Sequence, residues 1–231
     1  MTMPASSKKL IIFDWDGTLS DSVSRIARCI QLSASDHLLP APSFDQAKDI
    51  IGLGLREAIL QLFPHATDDL VSAFAMTYSA HYRQQDNSPC EFFPQVLDTL
   101  TLLRQRNYLL AVATGKSRAG LDRVLTATNL TTMFHGSRCA DETASKPDPL
   151  MLQELCEEFG IRPDEAIMVG DTEYDLEMAR RIAMPSVGVS YGAHAVERLT
   201  RWQPLQVIDA FAELDGVLTR HCGFRPGEAN S

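Results

Sequence analysis

No stretch of this chain is long and apolar enough to cross a bilayer, which argues against a membrane protein. The first apolar run, Leu10 to Phe13, stops at Asp14, too soon behind Lys8 and Lys9 for a signal peptide; a cytoplasmic location is expected. Cysteine is sparse and scattered: Cys29, Cys90, Cys139, Cys156 and Cys222 form no C-x-x-C pair, which suits reduced thiols better than a disulfide framework or a zinc site. Basic residues are outnumbered, 21 to 30, for a net charge of -9. No basic stripe offsets that balance, so neither nucleic acid nor an anionic membrane is an expected partner. Internal repeats and low-complexity segments are also missing. What is left, 45% hydrophobic and 22% charged residues in a chain of 231, describes a soluble globular protein with a sizeable core, in one large domain or two small ones.

Within that ordinary composition, Asp14-Trp15-Asp16-Gly17-Thr18 stands out. It follows Leu10, Ile11, Ile12 and Phe13, a run of the right length for a buried strand. Two carboxylates at the end of such a strand are costly to desolvate unless they are used. If strand geometry persists, Asp14 and Asp16 share a face, and two crowded carboxylates need a cation between them or a shared proton. Gly17 allows a sharp turn with unobstructed amides, and Thr18 adds a hydroxyl donor.

Met1 to Ser7 reads as a disordered lead-in. Helical spacing is predicted from Ser22 to Asp36, again from Phe44, through a break at Gly52-Leu53-Gly54, over Arg56 to Phe63, and from about Asp68 to Gln85. Residues 20–88 therefore read as a helical bundle inserted after the first strand. Beyond Pro94 strands and helices alternate: helices over 96–106, 118–128, 150–159, 174–182, 195–202 and 209–219, strands over 109–113, 166–169 and 186–189. That alternation predicts a doubly wound parallel sheet with helices on both faces, assembled from 1–19 and 89–231. The tail from His221 to Ser231 reads as frayed.

In an open parallel sheet, ligands bind outside the carboxyl ends of the strands. Three polar clusters fall on that edge: Asp14 to Thr18, Thr114-Gly115-Lys116, and Gly170-Asp171-Thr172. Lys146 lies in a loop held out of regular structure by Pro147 and Pro149, and Asp171 and Asp175 share a helix face from which both can reach one cation. Taken singly, each has a plain structural account. Thr114 could be a helix cap, Lys146 a solvated charge, the two aspartates favourable charges at a helix start, and Arg56 a surface residue. It is their convergence that points to a site.

These four clusters, in this order, resemble the motifs of the haloacid dehalogenase-like hydrolase superfamily, and the resemblance covers essentially the whole chain. The helical insert, with Ile51-Gly52-Leu53-Gly54-Leu55-Arg56, is similar to the substrate-facing cap of the phosphoglycolate-phosphatase-like branch, in a Rossmann-like core. Two departures are local: Trp15 stands where Leu or Met is commoner, with its ring expected to face away from the carboxylates, and Gln95 stands where many relatives have Gly. The resemblance implies a magnesium-dependent phosphatase for a small phosphorylated metabolite. Asp14 would be the nucleophile and Asp16 the acid and base; Mg2+ would be held by Asp14, Asp16 (through its carbonyl), Asp171 and Asp175. Gly17, Thr114, Gly115 and Lys146 would cradle the phosphate, with Arg56 reaching in from the cap. A sugar phosphomutase of the same superfamily is the alternative, since it uses the same motifs. Lys48 is the sole lysine available in the insert for phosphonatase chemistry, and the intact motif set argues against a silent binding protein.

Overall fold

The structure, a computed structural model, describes residues 9–84 and 91–221. The expected lead-in over 1–7, the tail beyond His221, the expected return of the core at 89, and Cys90 and Cys222 lie outside the described residues. In chain order the elements are β1 (Leu10–Phe13), α1 (Val23–Asp36), α2 (Phe44–Asp49), α3 (Leu55–Leu62), α4 (Asp68–Gln84), α5 (Val96–Gln105) and β2 (Leu109–Thr114). There follow α6 (Arg118–Ala127), β3 (Gly136–Cys139), α7 (Leu150–Phe159), β4 (Ala166–Gly170), α8 (Glu173–Arg181), β5 (Ser186–Val189), α9 (Val196–Thr200), β6 (Gln206–Ile208) and α10 (Glu213–His221).

All strand pairs are parallel, in the order β3-β2-β1-β4-β5-β6. The order reverses beside β1, and this places the carboxyl ends of β1, β2 and β4 together at the switch point. Leu10–Phe13 is buried at every position, as a central strand covered on both faces must be. Ile11 and Phe13 face a cluster completed by Leu100, Leu121, Leu214 and Val217, from α5, α6 and α10. Leu10 and Ile12 face the opposite cluster, with Leu152 and Leu155 of α7 and Met178 of α8. The period of two thus sorts one strand's residues between two cores.

Helices α1 to α4 hold a third apolar cluster of their own. Ile26, Ile30, Ile59, Val71 and Phe74 close it, and Ala193 is the buried residue that joins it from beyond β5. Ser43 starts α2 with a reciprocal cap: its hydroxyl accepts from the Gln46 amide while its own amide donates to the Gln46 side chain. Among the described residues, no helix is long and apolar enough to cross a membrane, and Cys29, Cys139 and Cys156 are buried cysteines outside any disulfide.

The four expected strands are present; β3 and β6 were not expected. Gly136-Ser137-Arg138-Cys139 has one buried residue and no apolar run, and β6 is three residues long, so neither edge strand shows the pattern of a core strand. The last helix starts at Glu213 rather than at Asp209.

Candidate active site

β1 ends at Phe13, and the next backbone amide, that of Asp14, still donates to the Val169 carbonyl at 2.9 Å, which pins Asp14 to the end of β4. Gly17 then takes φ +84, and a side chain there would meet the Asp171 carboxylate at 2.1 Å; glycine is required on both counts. The two carboxylates take different partners. The Asp14 carboxylate faces Lys146, whereas Asp16 accepts from the Ser22 hydroxyl at 2.5 Å and pairs with Lys116 at 2.9 Å. Trp15 goes to the core, edge-on to Phe92 and Phe134, as expected of a ring turned from the carboxylates.

Lys146, 1% exposed, places its ammonium 2.5 Å from Asp14 Oδ1 and 2.6 Å from Asp175 Oδ1. Asp175 is fixed through Oδ2 by the hydroxyl and amide of Thr172, the residue it caps in turn at the start of α8. Asp171 accepts from the Thr18 hydroxyl at 2.8 Å and from the Ala193 amide at 2.6 Å. Thr114 is fully buried and accepts through Oγ1 from the Lys116 amide.

Three neighbouring buried carboxylates share one ammonium between them, two of them paired with it directly, leaving an excess of negative charge in a low-dielectric place. Burial, reinforced by Asp175 and Asp171 and opposed by Lys146, holds the Asp14 carboxyl well above the usual range. Burial and then Asp175 push Asp171 up to about 7. Burial alone would lower the Lys146 ammonium, but Asp14 and Asp175 outweigh it and hold it above its ordinary value. Asp14 Oδ2 is buried without a hydrogen-bond partner. Asp14, Asp171 and Asp175 can each offer an oxygen within 4.8 Å of the others. An excess of buried carboxylate, a lone buried oxygen and an all-oxygen donor set fit a hard divalent cation.

The sheet and its neighbours thus bring Asp14, Asp16, Gly17, Thr114, Gly115, Lys146, Asp171 and Asp175 to one edge. Arg56 stands apart, its guanidinium bonded to Asp68 on exposed surface at the rim of the cavity. Sequence reasoning missed the two groups on Asp16. Lys116 had a signal, lying just past the end of β2; Ser22 stands at the start of α1, where its hydroxyl makes no cap hydrogen bond and serves Asp16 instead. Ala193 gave no signal at all, since its contribution is a backbone amide.

The Gly52-Leu53-Gly54 loop lies across this edge. A side chain on Gly115 would meet the Leu53 carbonyl at 2.4 Å, and the Gly54 amide donates to the Ser145 hydroxyl at 2.7 Å. Asp49, at the end of α2, is gripped from below: its carbonyl takes Tyr174 and His194, its carboxylate takes Arg198. Between insert and sheet edge is a cavity of about 460 Å³ lined by Asp14, Asp16, Gly115 and Lys116 on one side and by Ile26, Ile51 and Tyr82 on the other.

Sheet order and buried carboxylates at the switch point place the chain among doubly wound α/β proteins with an acid site at the strand ends. It belongs to the haloacid dehalogenase-like hydrolase family, whose model matches residues 11–189. The "Probable phosphatase IndB" of Dickeya dadantii (strain 3937) is 35% identical to it over 214 residues, 91% of this chain and 93% of that one. The phosphoglycolate phosphatase of Aliivibrio fischeri is 32% identical over 219 residues, 91% and 96% of the two chains. In three dimensions, a hydrolase from Pseudomonas syringae superposes with a TM-score of 0.85 at 23% identity, over 93% of this chain and 99% of that one, which shows the shared fold.

Proposed function

We propose that this chain is a magnesium-dependent phosphatase of a small phosphate monoester, phosphoglycolate-like or sugar-phosphate-like, working through an aspartyl-phosphate. The observation that carries the reading is Asp14: a buried carboxylate at the switch point, one oxygen on Lys146 and the other without a hydrogen-bond partner, lining the cavity beneath the insert.

In this reading an oxygen of Asp14 attacks phosphorus as the bond from phosphorus to the alcohol oxygen breaks, which divides one hard displacement into two. Asp16 gives its proton to the departing alcohol, then takes one from the water that attacks the aspartyl-phosphate; inorganic phosphate leaves and Asp14 is restored. Lys146, the Gly115 amide and Thr114 hold the transferring oxygens, the lysine as a point charge. Asp14, Asp171 and Asp175, with the Asp16 carbonyl, would hold magnesium, which would supply charge compensation for the phosphoryl group. The helices of 20–88 act as a cap over the core of 1–19 and 89–231, excluding water and enclosing the alcohol.

The test is phosphate release from a panel of phosphate monoesters with magnesium and with a chelator. Release that needs the metal is expected. Silence across the panel, or equal release under chelation, would overturn the reading.

A further inference from the structure

A carboxyl that hands a proton to a leaving alcohol must lie within hydrogen-bond reach of that oxygen, in one orientation. The backbone at Asp16 is fixed by a tight turn: the Leu19 and Ser20 amides both donate to the Trp15 carbonyl at 3.0 Å, and the Gly17 amide donates to the Ser20 carbonyl at 2.8 Å. What remains to be fixed is the side chain, which has three wells open to it at χ1.

Both of its oxygens are engaged. Oδ1 accepts from the Ser22 hydroxyl at 2.5 Å, and Oδ2 meets the Lys116 ammonium at 2.9 Å. Ser22 is fully buried, and the side chains of Lys116 and Asp16 are only 10% and 11% exposed, so the pair is weakly screened by water. Lys116 is itself anchored at both ends. Its amide donates to the Thr114 hydroxyl at 3.2 Å and its carbonyl accepts from the Ala140 amide at 3.1 Å, which holds its backbone to the sheet edge at the ends of β2 and β3. Its ammonium lies 3.5 Å from the Tyr82 hydroxyl and 4.9 Å from the centre of that ring. Tyr82, from α4, is buried in the apolar cluster of α1 to α4. One lysine therefore bears on Asp16 and on the insert at once, while Ser22 reaches Asp16 from the start of α1.

We propose that Lys116 and Ser22 are positioning residues for the reaction: together they fix the orientation of the Asp16 carboxyl toward the leaving alcohol, and Tyr82 ties that orientation to the insert. Each acts through Asp16. This rests on the phosphatase reading above and adds to it how the acid is held.

The test compares two esters in the presence of magnesium: p-nitrophenyl phosphate, whose leaving group needs no proton, and the alkyl monoester turned over fastest in the panel above, whose leaving group does. Since kcat/KM reports the steps through departure of the alcohol, the alkyl-to-aryl ratio of kcat/KM isolates proton delivery. Lys116→Met is expected to lower that ratio about a hundredfold, the loss that a ~1 Å misplacement brings, and Lys116→Arg to keep most of it. Ser22→Ala should lower it about tenfold, the scale of one hydrogen bond to a charged group, with Ser22→Thr restoring it. Tyr82→Leu should lower it about threefold, the scale of one cation–π contact. A role confined to folding would lower kcat/KM for both esters alike; that result, or an unchanged ratio, would overturn the inference. So would a wild type that releases phosphate from p-nitrophenyl phosphate and from no alkyl ester. Ser22→Ala decides the matter if Lys116→Met fails to fold. No release from any ester by the wild type would instead remove the phosphatase reading, and this inference with it.

Discussion

Lys146 with Asp175 and Arg56 with Asp68 are ion pairs of one length, 2.6 Å, in opposite surroundings. The side chains of the first pair are 0% exposed on both sides; those of the second are 53% and 83% exposed. In water the second pair is screened and costs entropy to hold, so its contribution is small. In the sheet edge the first pair cannot be separated without leaving an uncompensated charge in the interior. Equal distance therefore carries different consequences, and the difference identifies which cations the site depends on.

The sharpest way to probe the buried side is Asp14→Asn. Turnover should fall by a factor on the order of 10⁴ or more, as for the removal of an attacking group. The thermal midpoint should stay level or rise, because one of three crowded carboxylates is gone; activity near that of wild type would take Asp14 out of the nucleophile role. Next in size is Lys146→Met, expected to cost about 3–5 kcal/mol in denaturant unfolding, since it strands Asp14 and Asp175 together. A loss no larger than that of a surface lysine would erase the contrast.

Magnesium should supply the missing positive charge. At a free concentration of a hundred times its dissociation constant, the gain in unfolding free energy is about 2.7 kcal/mol. The gain should also depend on pH. Without a cation, the Asp171 carboxyl titrates near 7, above its unfolded value, so the folded protein binds more protons than the unfolded one and loses stability as pH rises from about 4 to about 7. Thermal shifts with magnesium should accordingly be larger at pH 8 than at pH 5, and a flat profile would mean that the carboxylates are compensated by other means. The smallest effect belongs to Arg56→Ala: an unchanged thermal midpoint and kcat/KM within about twofold. A tenfold loss would bring Arg56 back into the substrate site.

The central part of the sheet and the residues at its edge are legible in the amino-acid sequence alone. Continuous apolar runs announce central strands, so β1, β2, β4 and β5 can be located, and with them the polar residues at their ends. Asp14, Thr114 and Asp171 follow from that placement, whereas Lys146 lies in the loop between β3 and α7 and is marked instead by Pro147 and Pro149. Edge strands escape because pairing on one side asks little of side chains, and Gly136–Cys139 and Gln206–Ile208 show what little is needed. The different partners of Asp14 and Asp16 escape for another reason: they depend on where the strand stops, at Phe13, which the apolar run alone does not decide. Gln95 sits at φ 64, a left-handed position that favours glycine. The Lys116 contact to Asp16 needs two segments brought together from distant parts of the chain, and the Ser22 contact needs the chain to fold back within six residues.

Ala193 has two attachments that belong to different halves of the molecule. Its methyl is buried in the apolar cluster of α1 to α4, and its amide orients the Asp171 carboxylate. A residue with no polar side chain thereby joins the apolar cluster of α1 to α4 to the carboxylates at the sheet edge, one through its methyl and the other through its backbone.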